Sequence, residues 1–123
     1  MGLINLLIAI LIAVIPGPTV HRITTYSTGH RTADGSVIDY DKVADGTTRW
    51  CAVSRQHRGM YPYGTVILVE GHGLWVVRDT MSVWVSEKWP EGTVDLLFHP
   101  SSDERHFREW RRVWVIIRPG GLR

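Results

Sequence analysis

The chain has 123 residues, a formal net charge of +2, six tryptophans and a single cysteine. That length holds one domain and not two, and scattered basic residues without a clustered stripe exclude a nucleic-acid partner. The lone Cys51 excludes an intrachain disulfide and any metal site built on cysteine pairs.

Residues 3–15 are apolar apart from Asn5, and Pro16-Gly17-Pro18 ends the run. As a helix this stretch would extend about 20 Å, short of a hydrocarbon core of about 30 Å, which fits the apolar region of a signal peptide. The extreme N-terminus has no Lys or Arg, however, and no Ala-x-Ala site follows. Extended to Val20, the run becomes long enough for an uncleaved anchor, so cleavage and retention both stand. A buried core helix fits poorly, because the run has no polar face. Residues 1–20 are therefore expected to be a signal peptide or membrane anchor, with membrane association through residues 3–15. Residues 21–123 are expected to form the domain, and the protein is expected to be exported.

From His21 onward the pattern is one of short strands. Ile23 to Ser27 is β-rich, and residues 28–48 are polar, with Asp34-Gly35 and Asp45-Gly46 as turn signals. Arg49 to Ser54 is the next strand and contains Cys51, read as a buried, inert thiol. Thr65 to Glu70 and Leu74 to Asp79 form a hairpin across Gly71-His72-Gly73. Residues 80–92 are polar and aromatic and lead to a strand from Val94 to Phe98. Ser101-Ser102-Asp103-Glu104 is a capping box, which predicts a short helix ending near Arg111. Val113 to Ile117 is the last strand. About six strands and one helix near the C-terminus predict a mainly β fold, a small closed barrel.

Two carboxylates interrupt strand runs: Asp79 after Val76-Val77-Arg78, and Asp95 within Val94-Asp95-Leu96-Leu97. A charge in such a run costs free energy unless something uses it. Period-two alternation puts Asp79 on a face with Trp75 and Val77, and Asp95 with Leu97. Burial and a second carboxylate nearby both raise a carboxylic pKa, as a general acid for glycosidic-bond cleavage requires. Each aspartate also has a structural reading: Asp79 as a turn residue ending its strand, Asp95 as a strand-start acceptor of backbone N–H groups. Met81, Ser82, Trp84 and Trp89 either line a sugar groove or form a surface loop with aromatics tucked inward. The six histidines have no metal-ligand spacing, and Ser54 lacks a nucleophile-elbow motif. No metal or cofactor is implied.

Thr32-Ala33-Asp34-Gly35, Cys51-Ala52-Val53-Ser54, Tyr61-Pro62-Tyr63-Gly64-Thr65, Val76 to Thr80, and Val94 to Phe98 together resemble the three-aspartate (3D) domain. That domain belongs to the double-psi β-barrel superfamily and occurs in membrane-bound lytic transglycosylase A and in secreted bacterial and phage cell-wall proteins. The resemblance covers roughly Thr24 to Ile117 and keeps the motif order. It implies a six-stranded double-psi barrel, with the transglycosylase's catalytic acid at Asp95. The family's Asp-Thr-Gly-Gly falls on Asp79-Thr80-Met81-Ser82, where both glycines are replaced, and its earliest aspartate falls on Ser54.

Two functions are compatible with this. One is cleavage of the MurNAc–GlcNAc β-1,4 bond of peptidoglycan, with Asp95 as acid and base and Asp79 supporting it. The other is a non-catalytic glycan-binding, envelope or phage-assembly module that uses the same groove. In either case glycan strands are the partner, Tyr26, Thr80, Met81, Ser82, Trp84 and Trp89 are the candidate substrate contacts, and the location is periplasmic, secreted or anchored to the bacterial membrane.

Overall fold

The computed structural model describes residues 16–104 and 106–120. The apolar segment 3–15 lies outside them. Among the described residues no helix is long and apolar enough to cross a membrane.

Six strands form a closed barrel: β1 (Thr19–Tyr26), β2 (Trp50–Val53), β3 (Val66–Val69), β4 (Gly73–Thr80), β5 (Thr93–Leu97) and β6 (Glu109–Ile117). Their order around the barrel is β1-β5-β2-β4-β3-β6, with β6 closing on β1. β1 runs parallel to β5 and β2 parallel to β4, whereas the other four pairings are antiparallel. Closure leaves no row of unpaired backbone groups at a sheet edge. The hairpin read between Thr65 and Asp79 is β3 and β4, turning through Gly71-His72-Gly73 with Gly71 and Gly73 at positive φ. Thr19 and Val20, counted above with the leader, pair with Val113 and Arg112 of β6.

Alternate residues of the strands fill the barrel. Ile23, Cys51, Val53, Ile67, Val69, Trp75, Val77, Val94, Leu96 and Val113 form one cluster, joined by Tyr61 from the loop after β2. Cys51 is fully buried there, and burial pushes its thiol well above the ordinary value, so the inert reading holds.

Among the described residues there are two α-helices, and neither is the one expected near the C-terminus. α1 (Tyr40–Ala44) begins at Asp39, whose carboxylate accepts from Asp41 N at 3.0 Å. α2 (Val83–Lys88) begins at Ser82, whose hydroxyl accepts from Val85 N at 3.2 Å. Val83-Trp84-Val85 has β-rich composition, but the serine cap and the short span between β4 and β5 turn it into helix. The capping box at Ser101–Glu104 starts no helix. Ser102 Oγ accepts from Glu104 N at 3.2 Å within a turn, and Glu109 to Arg112 are drawn into β6 by pairing with Ile23 to Val20 of β1. A local capping signal contributes about 1 kcal/mol and is outweighed by closing the barrel.

Candidate active site

One row of residues crosses four strands. Thr24 of β1 is in register with Asp95 of β5, Asp95 with Ala52 of β2, and Ala52 with Asp79 of β4. The flanking residues Ile23, Val94, Leu96, Cys51 and Val53 belong to the core, so Thr24, Asp95 and Ala52 face away from it. Asp79 joins them through a bulge: Cys51 pairs with Val77 but Ala52 with Asp79, leaving Arg78 as the extra residue. The simple alternation that would group Asp79 with Trp75 and Val77 is thereby broken. Two strand spacings of about 4.8 Å separate the aspartates' backbones by about 10 Å. Ala52 lies between them with only a methyl group.

The two carboxylates differ in environment. Asp95 is largely buried, and burial is the main cause that pushes its pKa up to about 6. The Asp79 charge adds to the rise, while Thr24 and the Arg22 charge oppose it. Thr24 Oγ1 donates to Asp95 Oδ1 at 2.7 Å, and Oδ2 accepts nothing from the described residues. Asp79, in contrast, has both oxygens engaged. Its Oδ1 accepts from Ala33 N at 2.8 Å and Thr80 N at 2.9 Å, and its Oδ2 accepts from the Tyr26 hydroxyl at 3.3 Å. It ties the turn at residues 32–35 to the end of β4, which agrees with its reading as a strand-end turn residue. Tyr26 lies within electrostatic reach of both aspartates; burial first, then the Asp79 charge, drives its phenol strongly upward, so it stays a neutral donor.

The other residues singled out in the sequence have more mixed positions. Thr80 Oγ1 already contacts Arg58 Nη1 at 2.9 Å and Tyr63 OH at 2.6 Å. Ser82 caps α2, and Met81 N donates to Val53 O at 2.9 Å. Trp84 is 66% exposed, with the Lys88 ammonium 4.7 Å from its ring centre. Trp89 carries the Arg22 guanidinium on one face at 4.3 Å, which links it to Asp95 through Arg22. Neither tryptophan is tucked into the barrel core. Ser54 is fully buried, its Oγ accepting from Thr93 N at 2.8 Å, so it fastens β2 to β5.

Sequence reasoning missed Arg22, Thr24 and Ala52. Nothing local marks them; they matter only because β1, β5 and β2 lie side by side. Among the described residues no group of three or more His, Cys, Asp or Glu is arranged to hold a metal ion. No family model matches the chain, and neither the curated proteins nor the solved structures contain a match to it.

Proposed function

We propose that the protein is an exported, peptidoglycan-active enzyme of the lytic-transglycosylase type, built on a double-psi barrel of the three-aspartate kind. The observation that carries this reading is Asp95: a largely buried carboxyl on the outer face, raised to about 6, with one oxygen fixed by Thr24 and the other unoccupied among the described residues. A six-stranded closed barrel and the motif succession support the family reading.

In the reaction, protonated Asp95 gives its proton to the glycosidic oxygen between MurNAc and GlcNAc as the C1–O bond breaks. The resulting carboxylate then takes the proton of the same MurNAc residue's 6-hydroxyl, whose oxygen closes on C1 to give the 1,6-anhydro product. Asp95 is left protonated for the next cycle. Because the nucleophile belongs to the substrate, one carboxyl serves where ordinary glycosidases use two. Asp79 holds the 32–35 turn and the Tyr26 hydroxyl around the row, and its charge helps keep Asp95 protonated.

A second reading, a glycan-binding module without cleavage, is favoured by two observations: three donors already engage Asp79, and the family's earliest aspartate falls on a buried serine. Incubating purified peptidoglycan with the wild type and with Asp95→Asn distinguishes the two. Anhydro-muropeptides from the wild type alone, with sedimentation onto the sacculus unchanged in the variant, support catalysis. Binding without any anhydro product from the wild type establishes the module.

A further inference from the structure

The end of β1 and the segment entering β6 border an open cavity of about 330 Å³, lined by Thr24, Thr25, His106, Phe107 and Arg108. Thr24 belongs to this cavity and also donates to Asp95, so the cavity adjoins the acid. Arg22, two residues before Thr24 on the same strand face, stacks on Trp89 at 4.3 Å and is registered against Trp110, which is 49% exposed. Neither Arg22 nor Arg108 comes within ion-pair distance of a carboxylate among the described residues. The two guanidinium groups sense each other: after burial, the Arg108 charge is the next cause that lowers Arg22, against weaker opposing effects of Asp95 and Glu91. Arg108 lines the cavity and Arg22 lies two residues along β1 from its Thr24 wall, so two guanidinium forks without an ion pair among the described residues flank one opening and can hold a planar anion by paired N–H donors.

We infer that Arg22 and Arg108 form a subsite for a carboxylate carried by the glycan ligand, next to the sugar whose bond Asp95 would cleave. This rests on the peptidoglycan reading for the identity of the sugar. Two carboxylates of that polymer meet the requirement: the lactyl group of a muramic acid without its peptide, and an acidic residue of an attached peptide.

Isothermal titration with the GlcNAc-β-1,4-MurNAc disaccharide tests it, because this ligand lacks the MurNAc–GlcNAc bond and is not consumed. The free acid should bind about tenfold more tightly than its methyl ester, an advantage of about 1.4 kcal/mol, and that advantage should shrink in high salt. Arg108→Gln should abolish the preference while leaving the melting temperature unchanged, since Arg108 is exposed and in no ion pair among the described residues. The disaccharide carrying an acidic dipeptide through an amide separates the sources. Preference kept there assigns the subsite to the peptide carboxylate, and preference lost assigns it to the lactyl group. Equal binding of acid and ester in both the disaccharide and its dipeptide form, no binding of either ligand, or a preference that survives Arg108→Gln would overturn the inference. The enzymatic reading falls separately: anhydro product without acid preference removes only the subsite, and acid preference without product removes only the catalysis.

Discussion

Replacing Asp95 by Asn removes the carboxyl whose ionisation the fold resists, and the effect on stability has a definite sign. In the folded protein this group titrates at about 6 against an ordinary 3.8, first because it is buried. A raised folded pKa means that the native state holds the proton more tightly than the unfolded chain. The associated stabilisation is complete below pH 3.8 and is lost as pH rises through about 6. A shift of roughly two units at 1.36 kcal/mol each sets a ceiling of about 3 kcal/mol on that loss. The substituted carboxamide stays neutral throughout and still offers an oxygen to Thr24 Oγ1, so Asp95→Asn should gain on the wild type by up to about 3 kcal/mol between pH 4 and pH 7.5. His21 and His57 titrate in the same window in the opposite sense. Both are held below the ordinary 6.5, first by burial, and so the stability they contribute is lost as pH falls. They are identical in both proteins and cancel in the difference. Urea unfolding of the two proteins at pH 4, 5, 6 and 7.5 measures that difference directly. Parallel stability curves, with no pH-dependent gap, would refute the claim that burial raises the Asp95 carboxyl to about 6.

Asp79→Asn keeps an oxygen for Ala33 N and Thr80 N and should cost under about 1 kcal/mol, whereas Asp79→Ala strands those donors and should cost about 2 kcal/mol; thermal melts compare the two. In the anhydro-muropeptide assay Asp79→Asn should retain much of the activity that Asp95→Asn loses, because Asp79 positions rather than transfers a proton. Gly92→Ala should be among the most damaging single changes, about 3 kcal/mol or more. A Cβ there would lie 2.6 Å from His57 Cε1 and Nδ1 and 2.8 Å from His21 Nδ1, at a φ of +90°; a loss under about 1 kcal/mol by chemical denaturation contradicts this packing. Trp84→Ala should leave stability within about 0.5 kcal/mol, since the ring is 66% exposed, yet weaken retention on insoluble peptidoglycan if its open face stacks on sugar.

Strand positions were legible because alternation and turn residues are local. Thr65 to Asp79 declared its hairpin through two β-rich runs around Gly71 and Gly73, and Val94 to Leu97 declared its strand through apolar neighbours. The helices were not legible in the same way. Ser101 to Glu104 carries a capping box that barrel closure overrides, while Ser82 caps a helix that composition alone reads as extended. Strength of a local signal is about 1 kcal/mol, comparable to what a few non-local strand pairs contribute.

By itself the sequence determined that two aspartates sit at strand positions where charge is costly, and that the chain contains enough β-rich runs for a barrel. Only the tertiary structure decided that the two differ. Parallel pairing of β1 with β5 brings Thr24 to Asp95, and the bulge at Arg78 turns Asp79 onto the same row, where Ala33, Thr80 and Tyr26 donate to its two oxygens. Desolvation and hydrogen bonding depend on which groups are brought within a few ångströms, and residues 71 positions apart, such as Thr24 and Asp95, meet only through the topology.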